Sequence, residues 1–145
     1  TQPAPEIDID PAFFEIARIG MNAVTNEPGG TAWASRLDNP DWKLAGKTGT
    51  SQVYSITAEE RARGLTKPED LPWRRRDHAL FVCYAPYDNP RYACSVIVEH
   101  GIGGARVAGP KAREIMRAVL KKNPSALPTY DPRRIAGAGD VIRGG

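Results

Sequence analysis

One stretch of this sequence indicates its fold and its chemistry together: Leu44-Ala45-Gly46-Lys47-Thr48-Gly49-Thr50-Ser51-Gln52-Val53. β-Branched and hydroxyl residues follow Lys47, and this composition favours a β-strand, which we place at about residues 43–54. Such a strand carries an ammonium group, several hydroxyls and a glycine side by side. A site that holds a carboxylate and polarises a neighbouring acyl carbonyl needs these groups.

Gly46-Lys47-Thr48 could form the end of a nucleotide-binding loop, but the rest of the required pattern is absent. The phosphate-binding pattern G-x-x-x-x-G-K-[ST] requires glycine at position 41, which is Asp41, and a helix that begins at the lysine. A dinucleotide fingerprint that starts at Gly101 requires glycine at position 106, which is Arg106. The sequence therefore does not favour an NTPase or a dinucleotide-binding enzyme.

The composition is that of one ordinary globular domain. The chain has 145 residues, of which 41% are hydrophobic and 26% charged, with a formal net charge of +3. The small basic excess suits an anionic polymer, either a cell-wall glycan or a nucleic acid, and does not distinguish between them. No nucleic-acid-binding motif accompanies the three tryptophans, so we predict no nucleic-acid partner. No apolar run reaches the roughly 18 residues that cross a bilayer.

A helix is predicted before the strand at residues 43–54, and a long polar segment after it. Asp10-Pro11 is a capping carboxylate followed by proline at the first helical position, and residues 26–30 end the helix. Its apolar residues recur at helical spacing: Phe13, Ile16, Ala17, Gly20, Met21 and Val24. The segment at residues 55–77 is predicted to hold one short helix at 58–63. Its role, either substrate or partner contact or a plain surface loop, stays open.

A hairpin and a final helix complete the predicted fold. Residues 78–84 and 91–99 are apolar runs on either side of a turn, and they hardly alternate, so we expect helices on both sheet faces. Gly109-Pro110 begins the last helix and Asn123 ends it. Residues 124–145 are rich in Pro, Gly and Arg and are predicted to be a disordered tail. The element order indicates an α+β fold with an antiparallel sheet flanked by helices.

The two cysteines lie symmetrically about the turn of this hairpin, so a simple register places Cys83 opposite Cys94. Either a disulfide or two buried thiols would fit, and we favour the thiols. Together with His78 and His100 the cysteines lack the close ligand pairs of structural zinc sites. We therefore predict no metal and no other cofactor.

Residues 10–123 resemble the C-terminal part of the transpeptidase domain of class B penicillin-binding proteins, and most of all the elongation-type penicillin-binding protein 2. We accordingly assign residues 1–123 to such a domain. The resemblance is carried by Gly20-Met21 through Gly30-Thr31-Ala32, by Lys47 through Val53, by Asp77-His78-Ala79-Leu80-Phe81-Val82, by Ala85-Pro86-Tyr87 and by the final helix. Lys-Thr-Gly is one of the three short motifs of penicillin-binding proteins and class A β-lactamases. The fold implied is the penicillin-binding transpeptidase or β-lactamase-like fold.

The resemblance implies serine acyl transfer at D-alanyl-D-alanine stem peptides, in the cell-wall synthesis that elongates the cell. Lys47 and Thr50 would then be catalytic, Lys47 through its charge and Thr50 through its backbone N–H in an oxyanion hole. Thr48, Gly49 and Ser51 would bind substrate, which lies along the strand as an added strand. β-Lactam antibiotics mimic the dipeptide and acylate the same serine.

The other two motifs of the family are absent from this chain. The nucleophile motif needs lysine three residues after serine, and the second motif needs asparagine two residues after serine. Neither follows any of the five serines: Ser35, Ser51, Ser55, Ser95 and Ser125. We therefore expect activity in a full-length parent and none in this chain alone. A noncatalytic β-lactam sensor or protein-interaction module of the same fold is the alternative.

The resemblance also implies partners and a location. The family sheet has five strands, and this chain supplies three of them, so the strand at residues 91–99 would lack its neighbour. The remainder of the transpeptidase domain is then an expected partner, and without it the chain should form a homodimer or aggregate. The parent is expected on the periplasmic side of the bacterial inner membrane, with an anchor in its missing N-terminal part and with the elongation-machinery glycosyltransferase as partner.

Overall fold

The computed structural model describes residues 9–64 and 66–127. An antiparallel three-stranded sheet and helices make up this part of the chain, which confirms the predicted α+β class. In chain order the elements are α1 (Pro11–Asn26), β1 (Ala45–Ser51), α2 (Ala58–Arg63), β2 (His78–Ala85), β3 (Tyr92–Val98) and α3 (Gly109–Lys122). Within these residues no helix combines the length and the apolar character needed to cross a membrane.

Helix α1 begins and ends where the sequence predicts. The Asp10 side chain accepts a hydrogen bond of 2.9 Å from the Ala12 N–H, Pro11 occupies the first turn, and the helix ends at Asn26. Its first half is exposed even where it is apolar, since Phe13 is 64% and Ile16 65% exposed. Arg18, in the middle of the helix, donates a hydrogen bond of 3.1 Å to the Tyr87 carbonyl, and the last turns pack against the rest of the described chain.

The sheet has the strand order β1-β2-β3, so β2 is central and β1 and β3 form the edges of the described sheet. β1 pairs with β2 so that Lys47 lies opposite Val82, and β2 pairs with β3 so that Cys83 lies opposite Cys94. The predicted hairpin is confirmed. β1 is shorter than the predicted strand at residues 43–54 because the chain leaves the sheet after Ser51.

One face of the sheet forms the core. Helix α3 packs on this face through Ala112, Met116 and Leu120, against Phe81 and its neighbours on β2. Ile115, an apolar residue of the same helix, is 47% exposed. The buried apolar residues are Ala32, Leu37, Leu44, Ala45, Ala79, Phe81, Cys83, Ala85, Ala108, Ala112, Met116 and Leu120.

The opposite face, here called the open face, is covered by α1 at one end and exposed at the other in the described part of the chain. Ala45 lies on this face and is fully buried, and Met21 of α1 lines one cavity together with Val82 and Tyr84. The expectation that helices cover both faces is therefore confirmed at that end only. Val82 is 44% and Ile97 62% exposed, and burial alternates along β3. Both strands look uniformly apolar in sequence because the open face is apolar too. An apolar run shows that a surface is suited to burial, but it does not show which element covers that surface.

Cys83 and Cys94 face each other as the hairpin symmetry predicts, and both are free thiols. Burial, with a smaller contribution from Cys94, raises the pKa of the Cys83 thiol to about 12. Cys83 therefore remains protonated at neutral pH and packs as a small apolar side chain.

The segment after α3 begins in an ordered turn. Asn123 ends α3 with a left-handed backbone (φ 44°), and Pro124–Ala126 forms a short 3-10 turn. The Tyr92 hydroxyl accepts a hydrogen bond of 3.1 Å from the Ser125 N–H, which ties this turn to β3. The prediction of a disordered tail otherwise falls on residues 128–145, outside the described part.

The exposed part of the open face and the edge of β3, which is unpaired in the described sheet, predict that the 145-residue chain associates in solution. Light scattering at increasing concentration should give a mass of two or more chains, because exposed apolar surface and an unpaired edge both promote association. Ile97→Glu should weaken this association. Ile115→Glu alters an equally apolar but separate site on α3 and serves as the control. A monomer at every concentration would contradict the prediction.

Candidate functional site

All five residues predicted for the site lie on β1, at the edge of the sheet. Lys47, Thr50 and Ser51 are exposed, and Thr48 and Gly49 are half-buried. The neighbour of β1 in the described sheet is β2, so the outer edge of β1 presents backbone N–H and C=O groups that β2 does not use. An extended peptide can pair with such an edge. The strand conformation also excludes the helix that a phosphate-binding loop would need at Lys47.

The start of β1 is buried and lies against the core. Leu44 and Ala45 are fully buried. A Cβ atom on Gly46 would lie 2.5 Å from the ring of Phe81, which is also fully buried. Glycine at this position therefore lets the strand lie directly on the Phe81 ring. The next residue, Lys47, points to the other side of the strand and is exposed.

The Lys47 ammonium is exposed and stays on its own strand. Nζ donates a hydrogen bond of 2.9 Å to the backbone carbonyl of Thr48. Among the described residues Lys47 makes no salt bridge with a carboxylate. Its charge is therefore free to meet an anion that lies along the edge.

Alternation along the strand separates the predicted groups between two faces. Lys47 and Ser51 project to the open face, and Thr48 and Thr50 to the opposite face, since side chains alternate along a strand. The lysine side chain is long enough to reach the Thr48 carbonyl at the edge. A ligand that meets both Lys47 and the threonine hydroxyls therefore has to lie along the edge itself and not on either face.

A further hydroxyl reaches this edge from the loop after α1. Thr31 Oγ1 lies 3.5 Å from Thr48 Oγ1. The loop approaches so closely because a Cβ on Gly30 would be 2.4 Å from the Val24 carbonyl oxygen, and Ala32 donates a hydrogen bond of 3.0 Å to the same oxygen. Sequence reasoning did not place Thr31 at the site, although Gly30-Thr31-Ala32 is among the residues that carry the family resemblance.

Polar contacts order the loop between β1 and β2. The predicted short helix is α2, which begins with a reciprocal capping arrangement of Thr57 and Glu60. The Tyr54 hydroxyl lies 2.7 Å from the Glu60 carboxylate, and Arg75 lies 4.3 Å from the centroid of the Tyr54 ring. The hydrogen bond from Tyr54 lowers the pKa of Glu60 and raises that of Tyr54. Contact of this loop with substrate or with a partner stays one of its two predicted roles, beside that of a plain surface loop.

The family profile described as "Penicillin binding protein transpeptidase domain" matches residues 1–117 of the sequence. The chain belongs to the penicillin-binding protein transpeptidase family. The resemblance predicted from the sequence is thereby confirmed, including its placement of the Lys-Thr-Gly residues on a strand.

The chain is similar to curated proteins named peptidoglycan D,D-transpeptidase MrdA. It is 37% identical over 137 residues to the peptidoglycan D,D-transpeptidase MrdA of Escherichia coli (strain K12), covering 94% of this chain and 20% of the relative. It is 36% identical over 120 residues to MrdA of Haemophilus influenzae, covering 83% of this chain and 18% of the relative. The chain thus spans about a fifth of the length of the curated relatives that it matches. A match of 137 residues also extends past Asn123, where the predicted resemblance ended.

Solved structures of penicillin-binding proteins are also similar to this chain. The penicillin-binding protein PBP2 of Helicobacter pylori, in complex with MreC, matches with a TM-score of 0.64 at 30% identity, covering 83% of this chain and 20% of that one. PBP2 of Pseudomonas aeruginosa, in complex with WCK 5153, matches with a TM-score of 0.59 at 36% identity, covering 83% and 22%. The transpeptidase fold of this chain is therefore supported by both sequence and structure.

Proposed function

We propose that this chain is part of a peptidoglycan D,D-transpeptidase and that the edge of β1 binds the terminal carboxylate of a D-alanyl-D-alanine stem peptide. The observation that carries the proposal is the exposed Lys47 ammonium, without a carboxylate partner among the described residues, on a free strand edge of a transpeptidase-family chain. A peptide that ends in a carboxylate can pair its backbone with this strand edge and place its negative charge beside the Lys47 ammonium.

Each predicted residue has a distinct role in this proposal. Lys47 attracts the terminal carboxylate and biases proton transfer among the catalytic groups through its field. The hydroxyls of Thr48 and Thr50 donate to the carboxylate oxygens, and Gly49 lets the substrate backbone approach the strand. The backbone N–H of Thr50 stabilises the oxyanion, and one such donor contributes about 3 kcal/mol in the transition state. Ser51 lines the groove next to it.

The reaction needs a nucleophile that this chain does not encode in the family motif. A serine hydroxyl attacks the carbonyl of the penultimate D-alanine, its proton passes to a base, and the terminal D-alanine leaves with a proton on its amine. An amine of a neighbouring stem peptide then attacks the acyl-enzyme and restores the serine. Since no serine here is followed three residues later by lysine, the attacking serine belongs to the remainder of the domain in a longer parent.

The proposal includes the setting of the parent. Its substrate is periplasmic peptidoglycan, so the domain would face the periplasm from the inner membrane, with the anchor outside this chain. Its partners would be the rest of the transpeptidase domain, the glycosyltransferase that makes the glycan strand during elongation, and β-lactam antibiotics as covalent inhibitors.

The test uses the full-length parent and a stem pentapeptide that ends in D-alanyl-D-alanine. We expect one D-alanine to be released for each new crosslink when an acceptor amine is present, and release to stop after treatment with penicillin. A parent that is acylated by penicillin but neither releases D-alanine nor forms crosslinks would contradict a transpeptidase and support the β-lactam sensor instead.

A further inference from the structure

Asp77 closes the long loop at the point where β1 ends. Its carboxylate accepts a hydrogen bond of 3.1 Å from the backbone N–H of Val53, 24 residues earlier in the chain. Ser51, the last residue of β1, pairs with His78, the first residue of β2. The Asp77 carboxylate therefore links β1 and β2 beyond their last paired residues. β1 is the strand to which the proposed function assigns the substrate.

Asp77 is itself held by the turn that follows β3. Ile102 N–H donates to the Asp77 carbonyl at 2.8 Å, and His100 N–H donates to His78 Nδ1 at 2.9 Å. His100 Nδ1 lies 2.8 Å from the Arg76 carbonyl oxygen, and because a carbonyl only accepts, Nδ1 is the donor. His100 thus bonds to both residues that flank Asp77.

Packing and backbone conformation reinforce this arrangement. The centroid of the His100 ring lies 4.2 Å from that of Trp73 and 4.8 Å from that of His78. His100 and Ile102 both have positive φ, 53° and 73°, a conformation that residues with side chains rarely adopt. Strained backbone of this kind persists only where the surrounding contacts hold it, and it clusters at functional sites.

We propose that Asp77, held by the turn at His100–Ile102, is a positioning residue for the substrate edge of β1. An edge strand has one neighbour to fix its place, so its last residues, Thr50 and Ser51, depend on the contact just beyond them. The inference rests on the proposed function, because the edge matters only if substrate lies on it.

The test measures acylation of the full-length parent by a fluorescent penicillin in four variants. Asp77→Ala removes the acceptor, Val53→Pro removes the N–H donor, and Asp77→Asn keeps an acceptor oxygen without the charge. Asp70→Ala, in the same loop and exposed, is the control. We expect Asp77→Ala and Val53→Pro to lower the second-order acylation rate constant about tenfold or more. Asp77→Asn and Asp70→Ala should stay within about threefold of the parent.

A structural role alone would give a different pattern. It would lower the melting temperature and the fraction of protein that can be labelled at saturation, and would leave the rate constant of the labelled fraction unchanged. That pattern would overturn the inference while the proposed function stands. So would an unaltered acylation rate in both Asp77→Ala and Val53→Pro, or an Asp77→Asn variant that is as slow as Asp77→Ala. An unmodified parent that penicillin does not label would instead overturn the proposed function.

Discussion

The 145-residue chain alone, incubated with a fluorescent penicillin and then denatured, is expected to carry no covalent label. Penicillin acylates a serine that has been activated by a neighbouring base, and in this family that serine precedes a lysine by three residues. None of the five serines does so here. The difference from a labelled parent should be all or none, because without the nucleophile no acyl-enzyme forms and the remaining contacts only bind.

A matched experiment separates a missing nucleophile from a misfolded chain. The full-length parent, labelled under the same conditions, is the positive control, and the parent pretreated with unlabelled penicillin is the negative control. Circular dichroism should show that the 145-residue chain is folded when it fails to label. Stoichiometric label on the folded chain would contradict the account, since a serine outside the family motif would then be the nucleophile.

Replacement of Lys47 in the full-length parent is expected to slow acylation by penicillin about fiftyfold. Lys47→Ala removes a charged partner of the carboxylate, and a hydrogen bond to a charged group contributes about 1.5–3 kcal/mol. Each 1.36 kcal/mol lost from transition-state binding is about a tenfold loss in rate. The second-order rate constant of acylation is the quantity to measure, because it reports both binding and chemistry.

Lys43→Ala is the matched control for this replacement. Lys43 is also an exposed lysine, lies just before β1, and its Nζ is 4.0 Å from an Asp88 carboxylate oxygen. An exposed pair of this kind contributes about 1 kcal/mol or less, so this variant should acylate at nearly the rate of the parent. Equal losses in both variants would show that the effect is one of general surface charge.

Local sequence signals predicted the elements of this fold well. Asp10-Pro11 fixed the start of α1, a capping pair at Thr57 and Glu60 accompanies the predicted short helix α2, and the hairpin register followed from the symmetry of Cys83 and Cys94. Each of these features is decided by residues close together in the chain, or by a short turn between two strands. Such features are readable without knowledge of distant contacts.

Burial and the surroundings of the site depend on distant contacts and were not predictable in the same way. The apolar character of Ile97 and Val82 shows that their face is suited to burial, but no residue in the sequence states which element covers it. Thr31 reaches Thr48 across 17 positions, and Asp77 reaches Val53 across 24. Neither contact leaves a periodic or local signal in the sequence.

The central claim is that Lys47 binds the free carboxylate of the ligand, and a pair of ligands tests it most directly. Acylation of the full-length parent and of its Lys47→Ala variant is measured with a penicillin and with the methyl ester of the same penicillin. The account predicts that Lys47→Ala slows the acid about fiftyfold and the ester by no more than about twofold. An equal slowing of acid and ester would contradict it, since Lys47 would then act on something other than the carboxylate.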